Sequence, residues 1–205
     1  MRIKHLNDPF PHILISDVYE ENEITLIWKE LNFFIGKLYD PIATGSAMDQ
    51  NNQLLKRNLG IWLDTIFTSR ETSNILSINR KIFNNYSEIF AKSDHWFFKN
   101  IALNCDTTLI SYYENGDYYK PHFDTAYVTA LTWFYNQPKK FEGGDLFFPD
   151  YNYKIEIENN FTIIFPSTIK HSVSEVKMKF EDLNRNNGRV CMSQFMGVAL
   201  KETIH

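Results

Sequence analysis

The sequence predicts an α+β protein in which N-terminal helices flank a β-sandwich or β-barrel. Before residue 95, apolar residues recur at three- and four-residue spacing in two stretches. From Trp96 to Val198, short runs of Thr, Tyr, Phe, Ile and Val alternate with turn residues. Aromatic residues make up 16% of the chain, and they favour strands and pocket walls. Helices followed by strands are typical of the α+β class.

The first predicted elements are a strand and a helix. An apolar run over 12–16 indicates a short buried strand. Asp17 follows it, and its side chain is suited to cap a helix that continues to about Phe34. Gly36 is expected to end that helix. The apolar residues that recur along it are Ile24, Ile27, Trp28 and Leu31.

A long loop and a second helix come next. The periodic pattern is lost over 37–58, where Pro41, Gly45 and a polar cluster occur. A loop of that length in a compact protein is typically functional or mobile. Apolar residues on one face then predict a second helix over about 72–90.

Eight strands are predicted in the rest of the chain. Turn residues such as Gly116, the pair Gly143-Gly144 and Gly188 separate them. The predicted strands are 106–114, 118–124, 127–135, 145–148, 153–157, 161–165, 171–176 and 189–198.

Length and composition bound the class of protein. A chain of 205 residues indicates one domain over 1–205, with helical support at about 1–95 and a β-barrel core at about 96–200. A net charge of −4 argues against a nucleic-acid partner. The first residues lead into mixed polar sequence without an apolar region, so we expect no secretory signal, and no apolar run is long enough for a membrane span. With two cysteines, a disulfide scaffold is excluded, so we expect a cytoplasmic protein of open oligomeric state.

One pattern can carry chemistry: His122-Phe-Asp124, with His171 on another predicted strand. Side chains at i and i+2 of a strand share a face, so His122 and Asp124 should converge. Two imidazoles and one carboxylate form the facial triad that binds non-haem Fe(II). The residues alone leave two alternatives open. The histidines could be ordinary strand and surface residues, or the same ligands could bind zinc.

The surrounding motifs resemble the prolyl 4-hydroxylase branch of the iron(II)/2-oxoglutarate dioxygenases. That branch carries Tyr-x-x-Gly-x-x-Tyr-x-x-His-x-Asp, and the five landmarks occur in register here. The resemblance covers roughly 8–35 and 106–198. The segments that carry it are Asp8-Pro-Phe-Pro-His12-Ile, Tyr113-Glu-Asn-Gly116-Asp-Tyr-Tyr119-Lys-Pro-His122-Phe-Asp124, Gly143-Gly144-Asp-Leu-Phe-Phe-Pro149, Phe161-Thr-Ile-Ile-Phe165-Pro166 and His171-Ser-Val173-Ser-Glu-Val176.

The resemblance implies a double-stranded β-helix, a jelly-roll or cupin-like barrel with a metal at its mouth. His122, Asp124 and His171 would be both the metal ligands and the catalytic residues. The implied cofactor is Fe(II), with 2-oxoglutarate and O₂ as co-substrates and ascorbate as a further ligand.

The resemblance also implies residues that bind 2-oxoglutarate. Arg189 matches the cation that grips the distal carboxylate, and Ser193 lies four residues on, on the same strand face. Tyr113 is expected to hydrogen-bond the co-substrate. Relatives carry a further tyrosine where this chain has Phe134, so Thr132, on the same face, is the expected substitute.

One departure concerns the spacing to Arg189. The family's cation follows the distal histidine by about ten residues, whereas Arg189 follows His171 by 18. Residues 178–187 are therefore interpreted as a hairpin insertion. The rival cations, which we expect to be solvated, are Lys177, Lys179 and Arg185.

The activity implied is hydroxylation of a prolyl residue in a peptide or protein. Loop 37–58 would be a lid, with Tyr39, Met48 and Arg57 touching the substrate. Two other functions stay open, because loops set the substrate of a shared fold. One is a small-molecule oxygenase acting on free proline or another amino acid. The other is a non-catalytic metal-binding sensor domain.

Overall fold

The computed structural model describes residues 1–45 and 48–199. Residues 46 and 47 of the predicted loop, and the end of the predicted core at 200, lie outside them. The described helices are α1 (Glu21–Phe34), α2 (Leu63–Ile66), α3 (Asn74–Asn84), α4 (Tyr86–Ala91) and α5 (Trp96–Asn100). None of them is long and apolar enough to cross a membrane.

Fourteen strands occur in the described chain. The first seven are β1 (Arg2–Leu6), β2 (His12–Ser16), β3 (Lys56–Arg57), β4 (Leu59–Trp62), β5 (Cys105–Tyr113), β6 (Tyr118–His122) and β7 (Val128–Phe134). The others are β8 (Phe141–Gly143), β9 (Leu146–Phe148), β10 (Tyr153–Ile155), β11 (Phe161–Pro166), β12 (His171–Val173), β13 (Val176–Met178) and β14 (Arg189–Gly197).

The strands form two main sheets and a small one. The major sheet has seven strands in the order β1-β2-β11-β7-β14-β5-β4. The minor sheet has five, in the order β10-β9-β12-β6-β3, and β13 pairs with β8 alone. Every pairing is antiparallel.

The central strands β7, β11 and β14 of the major sheet are buried on both faces, so they are rich in apolar residues over nearly their whole length. On β7, Ala130 and Phe134 pack with the helices, whereas Leu131 and Trp133 belong to the core between the sheets. This alternation is the two-residue period of a strand. With the helices on its outer face, the pair of sheets is the predicted double-stranded β-helix of an α+β protein.

The start of α1 differs from the sequence prediction. Glu20, not Asp17, is the N-cap: it forms a capping box with Glu23, in which the Glu20 amide donates to Glu23 Oε2 at 2.8 Å. Asp17 has a φ of 55° and pairs with Arg2 at the surface. The helix ends at Phe34, and Gly36 lies in the 3₁₀ turn that follows.

The predicted second helix is two helices. Ser73 caps α3 by accepting a hydrogen bond from the Leu76 amide. Asn85 leaves the helical conformation, with a φ of −108° and a ψ of 10°, so that α4 begins anew at Tyr86.

The N-terminal region contributes strands as well as helices. The predicted strand at 12–16 is β2, but β1, β3 and β4 have no clear pattern in the sequence. The described part of loop 37–58 contains a 3₁₀ turn at Pro41–Thr44 and leads into β3, an edge strand of the minor sheet. This segment therefore forms one wall of the barrel.

The insertion at 178–187 is not a hairpin. Met178 ends β13, whose partner is β8 and not β14. The remainder forms a 3₁₀ turn and a loop, in which the Asn184 amide donates to Glu114 Oε1 at 3.1 Å. The interpretation of this segment as an extension of two paired strands is corrected accordingly.

Candidate metal centre and adjoining cavities

Two histidines lie opposite each other on neighbouring strands of the minor sheet. His122 ends β6, His171 begins β12, and the two are register partners. Their ring centroids are 4.3 Å apart, and both residues are buried. Antiparallel pairing therefore brings together two residues that are 49 positions apart in the chain.

Each imidazole is fixed through one ring nitrogen. His122 Nδ1 lies 2.9 Å from the Lys120 carbonyl oxygen, and His171 Nδ1 lies 3.0 Å from that of Ile169. An imidazole that donates from Nδ1 carries its lone pair on Nε2. Both Nε2 atoms face Asp124, so the backbone directs two acceptor nitrogens to one point.

Asp124 completes the set. It lies just beyond β6, and its carboxylate is 3.7 Å from His122 Nε2 and 3.4 Å from His171 Nε2. Thr129 Oγ1 donates to Asp124 Oδ2 at 2.7 Å, and Thr129 lies 2.7 Å from the Ser167 hydroxyl. This chain of hydroxyls orients the carboxylate from behind.

The electrostatics keep His122 neutral. Burial, followed by the proximity of His171, lowers the pKa of His122 to about 3. The unprotonated form is the one that binds a metal ion. A neutral His122 imidazole beside a carboxylate is thus ready to receive a cation.

The arrangement fits Fe(II). One ligand atom from each of His122, Asp124 and His171 lies within 4.8 Å of the others. Two imidazoles and one carboxylate on one side of an ion leave coordination positions for other ligands. A structural zinc site, by contrast, is usually closed by four protein ligands.

A cavity extends from these residues into the barrel. Its walls include alternate residues of β5 and β14, and Arg189 lies along it. Arg189 is 1% exposed, and none of its three guanidinium nitrogens has a hydrogen-bond partner in the described chain. A buried, unpaired guanidinium is costly, so this geometry calls for an anion such as a carboxylate.

Tyr113 and Ser193 line the same cavity, and their contacts with a co-substrate stay predictions. The Arg189 guanidinium lies 4.6 Å from the centroid of the Tyr113 ring. Burial raises the pKa of Tyr113 despite the opposing effect of Arg189, so its phenol keeps its proton and can donate. Ser193 Oγ lies 3.6 Å from Cys191 Sγ. The structure thus brings Arg189, Tyr113 and Ser193 together with the metal-ligand set.

The prediction for Thr132 is wrong. Thr132 lies on the helix-facing side of β7, and its hydroxyl bonds to that of Thr162 at 2.6 Å. Phe134 shares this side, where it stacks on Tyr19. The residue of β7 that lines the cavity is Leu131, because its position has the opposite parity.

The rival cations lie elsewhere. Lys177, Lys179 and Arg185 are exposed and do not line the cavity. Gly144 explains how Arg189 fits instead: a Cβ atom there would lie 2.8 Å from Arg189 Cδ. The glycine pair noticed in the sequence therefore makes room for the buried guanidinium.

A larger groove of about 440 Å³ adjoins the metal-ligand set. Asp124 lies in its wall, together with five aromatic side chains. These are Trp62, Tyr119, Phe123, Tyr127 and Phe195. A volume in this range is usual for a ligand-binding cleft.

Sequence reasoning missed Lys56, Thr129 and Ser167. Lys56 lies on β3 and is 6% exposed, with its Nζ 5.4 Å from the centroid of the Tyr119 ring. Burial lowers the pKa of Lys56 to about 8, and Asp124 opposes that effect. Its polar surroundings in the sequence gave no sign of burial. The threonine and the serine could have been found only as partners of Asp124 in space.

The comparisons with known proteins agree with this geometry. Residues 108–196 match the family model described as the 2OG-Fe(II) oxygenase superfamily. A PKHD-type hydroxylase of Prochlorococcus marinus is 26% identical over 164 residues, which are 71% of this chain and 72% of that protein.

Solved structures share the fold. A viral collagen prolyl hydroxylase from Paramecium bursaria Chlorella virus-1 superposes with a TM-score of 0.56 at 14% identity, over 91% of this chain and 96% of that one. A Pseudomonas putida prolyl-4-hydroxylase gives a TM-score of 0.52 at 12% identity, over 92% and 93%. The matched residues 108–196 include His122, Asp124, His171 and Arg189, so the part of the chain that is similar to the 2OG-Fe(II) oxygenase superfamily holds both the metal-ligand set and the buried arginine.

Proposed function

We propose that this protein is a peptidyl-prolyl 4-hydroxylase that uses Fe(II), 2-oxoglutarate and O₂. The observation that carries the proposal is the unpartnered guanidinium of Arg189, buried in a cavity that begins at the His122, Asp124 and His171 cluster. A metal-ligand set and a carboxylate-binding cation in one cavity suit a co-substrate that bears a chelating group and a distal carboxylate. A zinc site formed by the same three ligands would not require a buried cation such as Arg189.

Each group of this chain has a defined task in the reaction. His122, Asp124 and His171 would hold Fe(II) through Nε2, a carboxylate oxygen and Nε2. Bound Fe(II) and 2-oxoglutarate supply the activation of O₂: one oxygen atom enters a substrate C–H bond, and succinate and CO₂ leave with the other. Arg189 and Tyr113 would bind the distal carboxylate by charge and a hydrogen bond, with Ser193 beside them.

The interior apolar residues exclude water from the reaction. Leu109, Leu131 and Val173 line the cavity between Arg189 and the metal-ligand set. Such a dry enclosure strengthens the electrostatic contacts of Arg189 and limits side reactions. The chain therefore contributes binding, orientation and exclusion of solvent.

The adjoining groove is an argument for a peptide as the substrate. Phe123 and Tyr127 are 53% and 57% exposed beside Asp124, which is unusual for large aromatic side chains. Aromatic-lined grooves are a general means of binding proline-rich, extended segments. The relatives named as a PKHD-type hydroxylase and as prolyl hydroxylases support the same substrate class.

The test is succinate release from 2-oxoglutarate over a panel of proline-containing peptides, free proline and other free amino acids. We expect peptides to stimulate succinate release, with one hydroxyproline formed for each succinate. Stimulation by free proline and by no peptide would assign the protein to the small-molecule oxygenases instead. No stimulation by any substrate, with intact metal binding, would indicate the non-catalytic sensor domain.

Other parts of the assignment stay predictions from the sequence. They are ascorbate binding, a cytoplasmic location, a single domain over 1–205, and the absence of nucleic-acid and membrane partners. The closure of loop 37–58 over a substrate is likewise a prediction, supported by exposed Tyr39 and Met48 on that segment.

A further inference from the structure

Lys56 is a buried lysine beside the metal-ligand set with no assigned task. Edge strand β3 holds it, and its register partner on β6 is Tyr119. The Tyr119 ring stacks on His122, with the centroids 3.4 Å apart. The ammonium is thus one aromatic ring away from a metal-ligand histidine.

The ammonium of Lys56 is not neutralised by the fold. It forms no ion pair within 4.0 Å and no hydrogen bond with the described residues, and its polar contact there is the face of the Tyr119 ring. Asp124 favours the charged form from farther away, but that carboxylate belongs to the metal-ligand set. Lys56 is 6% exposed and lines the cavities beside the metal-ligand set, so an acceptor oxygen of a bound ligand would stabilise its charge at this position.

The position of Lys56 identifies the ligand. Five residues line both the co-substrate cavity and the larger groove, namely Lys56, Leu109, Tyr119, Asp124 and Phe195. Lys56 is the one cation lining both among the described residues, whereas Arg189 lines the co-substrate cavity alone. The two cations therefore occupy different places: Arg189 lies in the barrel, and Lys56 lies at the boundary between the co-substrate cavity and the groove.

We propose that Lys56 is a substrate-binding residue that donates a hydrogen bond to the carbonyl oxygen of the residue that is hydroxylated. This inference rests on the proposed function, and it names the contact that positions the substrate. The acceptor can be the amide carbonyl of a prolyl residue in a peptide or the carboxylate of a free amino acid. Both present the same sp² oxygen to the ammonium.

If Lys56 served only to stabilise the fold, replacing it would lower stability rather than substrate affinity. Methionine fills nearly the same space as lysine without its charge, so Lys56→Met should fold and be at least as stable as the wild type in the absence of ligands. Lys56→Arg keeps the charge with a different shape. Lys177→Met, at an exposed position of β13, is the control for losing one lysine charge.

The experiment measures binding and coupling in each variant. Peptide affinity is measured by anaerobic calorimetry on protein loaded with Fe(II) and 2-oxoglutarate, and succinate formation is compared with hydroxyproline formation in air. For Lys56→Met we expect the peptide Kd to rise roughly 10- to 100-fold, with 2-oxoglutarate affinity unchanged. The ratio of succinate to hydroxyproline should also rise, because a poorly positioned substrate uncouples the reaction. Lys56→Arg should recover part of the affinity, and Lys177→Met should match the wild type.

Two outcomes would overturn the inference while leaving the proposed function intact. One is an unchanged peptide Kd and coupling ratio in Lys56→Met. The other is a loss of 2-oxoglutarate affinity with peptide affinity retained, which would move Lys56 to the co-substrate. If the wild type acts on free proline and on no capped peptide, the proposed function fails. The same loss of affinity for free proline in Lys56→Met would then still support the Lys56 contact.

Discussion

The chemistry of the site depends on how single side chains are held. His122 and His171 each bond through Nδ1 to a backbone carbonyl, and Asp124 accepts from Thr129. These contacts fix three ligand atoms before any ion arrives, which reduces the entropy lost on binding.

Thr129 should therefore tune metal affinity. Thr129→Val keeps the shape of the side chain and removes the donor to Asp124 Oδ2, so we expect Fe(II) affinity to fall roughly 10- to 100-fold. Thr132→Val is the matched control, because Thr132 lies on the opposite face of β7. Competition titration with a chelator measures both. Equal affinities in the two variants would show that the hydroxyl has no part in orienting Asp124.

Arg189 should control co-substrate affinity without supporting the empty fold. Its guanidinium has no hydrogen-bond partner in the described chain, so Arg189→Met should keep the ligand-free stability while weakening 2-oxoglutarate binding roughly 100-fold or more. Arg185→Met, an exposed neighbour, should bind like the wild type. The KM for 2-oxoglutarate is the measurement. A normal KM in Arg189→Met would return the role to Lys177, Lys179 or Arg185.

At the residue scale, the sequence predicted what lies on strong motifs. His122, Asp124, His171 and Arg189 stand in register with recognisable segments, and the structure brings them together. The prediction for Thr132 was wrong because a shift of one position along β7 moves a side chain from the face that lines the cavity to the face that packs on the helices. Lys56 could not be foreseen, because a two-residue edge strand has no periodicity of its own.

At the scale of elements, the turn between β8 and β9 positions the start of β14, where Arg189 lies. Gly143 and Gly144 have φ values of 70° and 71°, in the left-handed region that favours glycine. A Cβ on Gly144 would lie 2.8 Å from Arg189 Cδ and 3.0 Å from Val176 Cγ2. The turn therefore packs directly against the Arg189 side chain, and only a glycine at position 144 leaves room for it.

Gly144→Ala should damage both stability and co-substrate binding. The added methyl displaces Arg189 and imposes an unfavourable φ, so we expect a loss of about 1–3 kcal/mol in the free energy of unfolding. The KM for 2-oxoglutarate should rise as well. Gly36→Ala is the control, because a Cβ there meets nothing within 4 Å. Urea denaturation and succinate kinetics measure the two effects, and normal values for Gly144→Ala would contradict the account.

The sequence predicted the elements whose apolar pattern is clear and bounded by turn residues. The eight predicted strands of the barrel all occur, with bounds shifted by a few residues and the one over 171–176 divided into β12 and β13. Strands β1 and β4 were not foreseen, because each lies at an edge of the major sheet and exposes part of its length. The break at Asn85 was missed because the apolar spacing continues through it, from Phe83 to Tyr86.

At the scale of the whole molecule, buried polar contacts join the helices to the major sheet. The Asp106 side chain, on β5, is fully buried and accepts hydrogen bonds from Arg70 Nη2 and Gln194 Nε2, both at 2.8 Å. Arg80, on α3, pairs with the same carboxylate at 3.2 Å. The helix layer is thereby fixed against the sheet that carries Arg189.

Neutralising that carboxylate should remove a large part of the free energy of unfolding. Asp106→Asn leaves two arginines partly uncompensated, so we expect the free energy of unfolding to fall by about 3–5 kcal/mol. The exposed pair of Arg2 with Asp17 is the comparison, and Arg2→Met should cost less than about 1 kcal/mol. Urea denaturation of both variants tests this. Similar small losses would mean that the buried network contributes no more than a surface pair.

In the proposed function, one cavity of this protein holds both a metal ion and 2-oxoglutarate. The most direct measurement is an anaerobic titration of the Fe(II)-loaded protein with 2-oxoglutarate, followed by visible absorption. The account predicts a weak charge-transfer band that saturates at one co-substrate per chain and is lost in Asp124→Ala, which should not retain iron. Absence of the band, together with full occupancy by zinc and indifference to 2-oxoglutarate, would contradict it.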